Sequence, residues 1–307
     1  MHHSKVLFFL LITLGACSAP STQKDMPEAT AAAIDWQGHR GARGLLPENT
    51  VPAFLKALDY PQVKTLELDL AVSADSQLVV SHEPWMSHHI CSHPDGRPVT
   101  EAEEDQLLIF QMPYEQVRQY DCGSRGNERF PEQQAQPAYK PTLQEVVEKS
   151  DAYAKEQNRP LPFYNIEIKI QPDYDGYKSP TARAFARLVL DELHELGIAG
   201  RSTVQSFDVR PLQHLHRMDS SITTALLIDN PNGVRINLEA LGYTPKIYSP
   251  YYKMVTAKVV DTVHEYGMTI VPWTVNDTTS MKALLQLGVD GIITDYPNLI
   301  SAVTETD

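Results

Sequence analysis

The chain is poor in positive charge relative to its acidic residues. It has 26 lysine and arginine residues against 39 acidic ones, a formal net charge of -13 at pH 7. Nucleic acids and anionic membranes are recognised by clustered positive charge, so this balance argues against either as the main partner. If the substrate is anionic, a local cationic group or a metal ion must receive it.

Near the N-terminus the chain also lacks an apolar run long enough for a membrane-spanning helix. The run that starts at Val6 and ends in Leu-Gly-Ala-Cys17 is well short of the roughly 20 residues that such a helix needs. With Lys5 before it, the segment is typical of a secretion signal, although a fortuitous apolar segment is an alternative. Its ending resembles the bacterial lipoprotein box, in which the cysteine is acylated. An ordinary signal peptide without acylation is the other alternative.

That resemblance implies a signal peptide over 1–17, acylation of Cys17 and a tether over 18–33 that is rich in Ser, Thr, Pro and Ala. We therefore expect an exported protein that is lipid-anchored at the bacterial cell envelope, on the periplasmic side or the cell surface. The lipid anchor would be its only contact with the membrane.

Cysteine is scarce, with three in the whole chain. If Cys17 is acylated, Cys91 and Cys122 remain as an even pair in an oxidising compartment, where a disulfide would persist. Two buried free thiols are the alternative.

No internal repeat is evident, and the pattern of apolar residues indicates an α/β fold. Short β-rich runs alternate with longer helix-patterned segments, which predicts a parallel (β/α)8 TIM barrel over 34–303. The predicted barrel strands are 34–39, 65–71, 163–170, 203–207, 223–228, 246–249, 269–275 and 291–294.

One further β-rich run, from Gln77, follows the second strand after only Ser-Ala-Asp-Ser. A parallel crossover needs a dozen or more residues, so we predict an antiparallel hairpin return strand. Between about 84 and 140 the periodicity weakens and His, Pro, Gly and both remaining cysteines accumulate. This segment is too long for a simple loop and predicts an insertion subdomain over one face of the barrel.

The second strand contains two carboxylates, Glu67 and Asp69, in the stretch "LELDL". Residues two apart on a strand point to the same face, and two buried carboxylates would need a partner. A hard cation such as Mg²⁺ or Ca²⁺ provides one, because it prefers carboxylate oxygens. An outward, solvated strand face is the alternative.

The stretch "NIEIK" repeats the pattern with Glu167 and Lys169 on one face. Glu167 could complete a three-carboxylate metal site and Lys169 could neutralise a phosphate, while a structural Glu–Lys pair is the alternative. His39 and Arg40 end the first strand, and His82 ends the hairpin return. Groups at the carboxyl ends of barrel strands share one face, so this set is typical of metal-assisted phosphoryl chemistry.

Six stretches together resemble the glycerophosphodiester phosphodiesterase family. They are "HRGARGLLPENT", "LELDL", "VVSHE", "NIEIK", "VPWTVND" and "GVDGIITDYP", in the family's order across roughly 36–297. The resemblance implies a (β/α)8 barrel, one divalent metal ion, Ca²⁺ or Mg²⁺, and hydrolysis of glycerophosphodiesters to glycerol 3-phosphate and an alcohol.

The resemblance also implies roles for individual residues. The catalytic general acid and base would be His39 and His82. The insertion would cover the glycerol site. The family usually has His-Asp where this chain has His82-Glu83, which leaves the local support of His82 open. The implied metal ligands are Glu67, Asp69 and Glu167, and the implied substrate-binding residues are Arg40 and Lys169 at the phosphate and Trp273 at the pocket.

Other interpretations remain at this point. A related barrel phospholipase acting on intact lipids, or a non-catalytic surface-binding lipoprotein, would also fit an exported barrel. Asp208 is expected to cap a helix. Glu48 either supports the site or belongs to a helix start capped by Asn49 or Thr50. A zinc site in the loop is disfavoured, since its candidate ligands come from one short segment: His88, His89, Cys91 and His93. The alcohol, the order of the histidines, a cyclic intermediate and the oligomeric state stay open.

Overall fold

The computed structural model describes residues 1–3 and 34–304. Cys17 and the predicted tether lie outside the described residues. Within 34–304, eight parallel strands succeed one another around a nearly closed barrel, with a ninth, antiparallel strand beside the second. The strands are β1 Asp35–Gly38, β2 Val63–Val72, β3 Leu78–Val80, β4 Phe163–Ile168, β5 Ser202–Ser206, β6 Thr223–Ile228, β7 Ile247–Pro250, β8 Thr269–Ile270 and β9 Gly291–Thr294.

The barrel runs in the order β8-β7-β6-β5-β4-β2-β1-β9. Between β8 and β9 it closes through backbone hydrogen bonds, from Asp290 N to the Ile270 carbonyl and from Ile293 N to the Pro272 carbonyl, both 3.0 Å. The predicted eighth strand, 269–275, is regular only over Thr269–Ile270. Pro272 has no N–H to donate to a ladder, which accounts for the early end. The predicted (β/α)8 barrel is confirmed.

Helices surround the barrel and form most of the crossover connections between its strands. They are α1 Val51–Leu58, α2 Tyr114–Val117, α3 Leu143–Glu156, α4 Ala182–Glu195, α5 Val209–Met218, α6 Val234–Leu241, α7 Ala257–Glu265, α8 Thr278–Gln286 and α9 Ser301–Thr304. Side-chain oxygens accept backbone N–H bonds at several helix starts, including Thr50 at α1 and Asp208 at α5. The predicted cap at Asp208 is confirmed. No helix in the described ranges has the length and apolarity to cross a membrane.

Strand alternation separates two buried layers. On β2, Leu66, Leu68 and Leu70 are fully buried. They belong to the large apolar cluster that also contains Phe54 of α1 and Phe185 of α4. On the opposite face of β2, Glu67 and Asp69 point into the barrel, where they are buried. This alternation is what brings charged groups to the barrel axis.

The hairpin predicted after the second strand is present. β3 pairs antiparallel with β2 in the register Leu70↔Val80 and Val72↔Leu78. Ser81 N, just past β3, donates to the Asp69 carbonyl at 2.9 Å. The return strand therefore brings the next residue, His82, to the level of Asp69 on β2.

The segment after the hairpin builds a small apolar cluster of its own. It packs against Ala71 and Val79 of the hairpin and contains a disulfide between Cys91 and Cys122, which are 31 positions apart. The other buried members are Met86, Ile90, Val99, Ile109, Met112, Val117 and Tyr120. The segment after the hairpin therefore has an apolar cluster distinct from that of the barrel.

Candidate active site

Three carboxylates meet at the carboxyl ends of β2 and β4. The parallel register pairs Asp69 with Glu167 and Glu67 with Asn165. Glu67, Asp69 and Glu167 are 2%, 0% and 6% exposed. Each offers one oxygen within 4.8 Å of the other two, and within 1–3 and 34–304 no other acidic, histidine or cysteine group has this geometry. Among the described residues, none forms a hydrogen bond with the buried Asp69 Oδ1.

The negative charges of these carboxylates repel one another. Burial, and next the charge of Asp69, raise the pKa of Glu67. Burial raises the pKa of Glu167 to about 7, against the effect of Lys169. Burial opposes ionisation of Asp69 too, but Arg40 and other cations hold its pKa below the usual value. Three crowded carboxylates and an orphaned oxygen fit a hard divalent cation, which would offset the repulsion.

Neighbouring groups fix the orientation of the carboxylates. Glu67 Oε1 accepts from Gln205 Nε2 at 2.8 Å, and Glu67 Oε2 accepts from the Arg40 backbone N–H at 2.9 Å. Asp69 Oδ2 accepts from Asn49 Nδ2 at 2.8 Å. Such contacts set the orientation and the basicity of metal ligands.

His39 lies at the end of β1, next to the end of β9. Since Gly38 pairs with Thr294, the following residues are neighbours, and His39 Nδ1 lies 2.6 Å from Asp295 Oδ1. Burial opposes ionisation of Asp295, but His39 and Arg43 hold its pKa below the usual value. The ionised carboxylate therefore accepts the Nδ1 proton of His39.

The other ring nitrogen of His39 is available for proton transfer. Burial and the charge of Arg43 lower the pKa of His39 to about 4, despite Asp295. The ring is neutral near pH 7, and with Nδ1 protonated, Nε2 carries the lone pair. Nε2 lies 3.8 Å from Glu67 Oε2. This nitrogen can therefore act as a base beside the buried carboxylates.

His82 is held in a different way. Its Nδ1 lies 2.7 Å from Glu83 Oε1, and its Nε2 lies 3.0 Å from Lys169 Nζ. Burial and Arg40 lower the pKa of His82. Lys169 also contacts Glu167 Oε1 at 3.1 Å. With Glu83 in place of the expected aspartate, His82 therefore still has a carboxylate partner.

Arg40 is more tightly paired than a free phosphate ligand would be. Its Nη1 donates to Glu48 Oε1 at 2.7 Å, and its Nε lies 3.3 Å from Asp69 Oδ2. Both alternatives for the "PENT" stretch hold, since Glu48 contacts the site while Thr50 caps α1.

Gly41 has φ +83, and an added Cβ would lie 2.5 Å from the Ala53 backbone, so only glycine fits this turn.

These groups face one cavity of about 310 Å³. Trp273 lines it and donates from Nε1 to the Ser249 carbonyl at 2.9 Å. Phe207 packs edge-on against Trp273, with ring centroids 5.3 Å apart. Of the residues predicted for the site, those lining the cavity are His39, Arg40, Glu67, His82, Glu167, Lys169 and Trp273. Asp69 completes the carboxylate group beneath them.

Several site residues were missed from the sequence. Asp295 carried the clearest signal, because it directly follows the last strand in "TDYP", and a barrel places that strand beside the first. Other missed residues include Arg43, Arg129, Gln205 and Phe207. Of the loop residues, His88 and His93 contact Glu104 and Glu103, and Cys91 is in the disulfide.

Comparison with known proteins agrees with this geometry. The profile of the Glycerophosphoryl diester phosphodiesterase family matches residues 39–299. The Glycerophosphodiester phosphodiesterase of Bacillus subtilis (strain 168) is 28% identical over 273 residues, covering 86% of this chain and 84% of that protein. A crystal structure from Silicibacter pomeroyi DSS-3, described under the same family name, has a TM-score of 0.78 and 26% identity, covering 89% of this chain and 93% of that one.

A phosphodiesterase of Oleispira antarctica, solved in complex with the product sn-glycerol-3-phosphate, shares the fold. Its TM-score is 0.69 with 20% identity, and the match covers 89% of this chain and 98% of that chain. The profile match extends over most of the 307 residues. The chain therefore belongs to the glycerophosphoryl diester phosphodiesterase family.

Proposed function

We propose that this family member hydrolyses glycerophosphodiesters to glycerol 3-phosphate and an alcohol with one divalent metal ion and two histidines. The observation that carries the proposal is the convergence of three buried carboxylates and two differently supported imidazoles on one cavity. Glu67, Asp69 and Glu167 would hold the ion, Ca²⁺ or Mg²⁺. When bound, the ion supplies positive charge that stabilises the phosphoryl oxygens.

The two histidines divide the proton transfers. His39 Nε2, unprotonated because Asp295 holds the Nδ1 proton, accepts the proton of the attacking hydroxyl or water. Lys169 donates a hydrogen bond to His82 Nε2, so this nitrogen holds a lone pair before the reaction. The proton for the departing alcohol oxygen comes from the Lys169 ammonium through His82 Nε2 as the phosphorus–oxygen bond breaks, and the neutral amine then takes up a proton from solvent. Lys169 and Arg40 also place positive charge beside the phosphate.

Removal of the metal and of one histidine tests the proposal. Release of glycerol 3-phosphate from glycerophosphocholine should stop with EDTA and return with Ca²⁺ or Mg²⁺. His39→Ala should be inactive and folded, whereas His264→Ala, which removes an exposed histidine paired with Asp290 on the outer shell, should retain activity. Turnover that persists with EDTA or in His39→Ala would refute this site. Activity on micellar lipid alone would indicate a phospholipase instead.

The proposal extends to the location of the enzyme. The sequence of 1–17 and the Cys91–Cys122 disulfide support an exported protein anchored through lipid on Cys17. Cells fed a radiolabelled fatty acid should label the wild-type chain, and Cys17→Ser should abolish the label. A labelled Cys17→Ser variant, or an unlabelled wild type, would contradict the anchor without touching the catalytic proposal.

A further inference from the structure

Lysine and arginine side chains line the catalytic cavity at four positions, and three of them are already paired with carboxylates. Each paired cation contacts a carboxylate oxygen at 2.7 to 3.1 Å: Arg40 with Glu48, Arg43 with Asp295, and Lys169 with Glu167. The fourth is Arg129, and no carboxylate among the described residues forms an ion pair with it. Its positive charge is therefore available to an anion that enters the cavity.

Arg129 belongs to the insertion, and the segment that carries it is fixed to the turn after β1. Gln133 Nε2 donates to the Arg43 carbonyl at 2.7 Å. The backbone N–H of Gln134 donates to the Leu45 carbonyl at 2.8 Å. These bonds hold the insertion segment beside the first strand end, which also carries the proposed base of the reaction.

The next residue, Phe130, brings two guanidinium groups together. Its ring is buried, and its centroid lies 4.5 Å from Arg43 Cζ and 5.9 Å from Arg129 Cζ. Of these two arginines, Arg43 has ionic partners in the described part of the chain and Arg129 has none. One aromatic ring thus places an unpaired positive charge near a paired one, a situation that a bound anion would relieve.

The donors of Arg129 are also mostly unused. Asn127 Oδ1 accepts from the backbone N–H of Arg129 at 3.2 Å and from its Nε at 3.4 Å. Within 34–304, no acceptor forms a hydrogen bond with Nη1 or Nη2 of Arg129. The two terminal nitrogens of a guanidinium match the spacing of two phosphate oxygens. The fork of Arg129 can therefore bind an oxyanion in the cavity.

From these contacts we infer that Arg129 is a phosphate-binding residue that the insertion adds to the catalytic cavity, and that it holds the product more strongly than the substrate. The inference rests on the proposed function, because it assigns a ligand of the phosphate in that reaction. A phosphodiester carries one negative charge, whereas a phosphate monoester such as glycerol 3-phosphate carries about two above its second pKa of about 6. Attraction to a single guanidinium grows in proportion to the charge of the ligand.

Replacement of Arg129 by glutamine tests this assignment at pH 8. The KM for glycerophosphocholine should rise about fivefold, which equals about 1 kcal/mol and is the upper end for an exposed ion pair. The inhibition constant of glycerol 3-phosphate should rise about 25-fold, because twice the charge doubles the free energy and squares the factor. Both losses should exceed the change in kcat and should shrink in high salt. Arg129→Lys, which keeps the charge, should recover most of both affinities.

A neutral inhibitor and a second arginine serve as controls. Inhibition by glycerol, which carries no charge, should not change in Arg129→Gln. Arg118→Gln makes the same charge change at an exposed arginine of the insertion that pairs with Glu115 and does not line the cavity, so all three constants should stay at wild-type values. Thermal melting confirms that each variant is folded.

Three results would overturn the role of Arg129. They are an unchanged inhibition constant for glycerol 3-phosphate in Arg129→Gln, an equal rise for glycerol, and an equal rise in Arg118→Gln. A wild-type enzyme that does not cleave glycerophosphocholine would instead refute the proposed function. Calorimetric binding of glycerol 3-phosphate with Ca²⁺ present would then still test Arg129, with the same expected loss in Arg129→Gln.

Discussion

Replacement of Asp295 by asparagine should silence the enzyme while the barrel remains folded. Asp295 is fully buried and accepts four hydrogen bonds within 3.0 Å, from His39 Nδ1, Arg43 Nε and Nη2, and Asn276 Nδ2. An asparagine offers one carbonyl oxygen, and its NH2 group would face donors. At least part of this network must therefore lose its acceptor.

The catalytic effect follows from the tautomer of His39. Without the carboxylate, Nδ1 can accept from the new amide, which moves the ring proton to Nε2 and removes the base. Loss of a positioned general base lowers kcat by about 10²- to 10⁴-fold. The same change leaves the buried Arg43 without its ionic partner at 2.8 Å, a loss that costs about 3–5 kcal/mol when a buried pair is broken. Glu48, 3.8 Å from Arg43, should reduce that cost.

The assay combines kcat on glycerophosphocholine with urea unfolding and ¹⁵N shifts of the His39 ring. Asp290→Asn is a matched control, since Asp290 precedes β9 at its opposite end and also contacts a histidine, His264, at 2.9 Å. The control should keep kcat. A folded Asp295→Asn variant with wild-type kcat, or with the Nε2 lone pair retained, would refute the role of Asp295 in orienting His39.

Three further predictions concern metal affinity and stability. Gln205→Leu removes the donor to Glu67 and should weaken Ca²⁺ binding about 10- to 100-fold in calorimetry; unchanged affinity would contradict its role. The Cys91→Ala/Cys122→Ala double variant should have a free energy of unfolding lower by about 2–5 kcal/mol and should therefore melt at a lower temperature. An unchanged melting temperature would contradict this. Burial raises the pKa of Glu192 to about 7, so its ionisation destabilises the fold increasingly from about pH 4 to 7 and fully above. Glu192→Gln should therefore stabilise the protein by about 1–2 kcal/mol at pH 8, discounted for partial exposure, and not at pH 4 in urea unfolding; equal effects at both pH values would contradict this.

The group of buried carboxylates was predictable from the sequence because strand alternation is local. Glu67 and Asp69 are two apart on β2. Leu66 and Leu68 alternate with them and are fully buried, as the period of two requires. The hairpin was predictable for a similar reason, since four residues cannot form a parallel crossover. Spacing along one segment was sufficient in both cases.

The rest of the site depends on contacts between distant segments. His39 and Asp295 are 256 positions apart and meet only because β9 closes the barrel beside β1. Arg40, which pairs with Glu48, has a left-handed backbone with φ 50, which no residue pattern indicates. Trp85, Tyr174 and Phe207 come from three separate loops and line a common cavity of about 760 Å³ only in the folded chain. Physical proximity here is set by closure and loop conformation, not by sequence spacing.

The polar interior of the barrel suggests why Glu67 is oriented before any metal binds. Asn165 Nδ2 donates to the side-chain oxygens of both Gln37 and Gln205, at 2.8 and 3.1 Å. The oxygen of Gln205 is thereby used, so its NH2 group points to Glu67. At the other end Gln37 donates to Asp35 at 2.7 Å.

A flipped Gln205 would set its oxygen against the Glu67 carboxylate and its NH2 against that of Asn165. Both contacts would be repulsive, and a buried amide cannot turn to water for compensation. The interior amides therefore hold one donor on Glu67 permanently. A metal ligand held in this way loses less freedom on binding the ion, which is the physical advantage of a polar layer beneath the carboxylates over an aliphatic one.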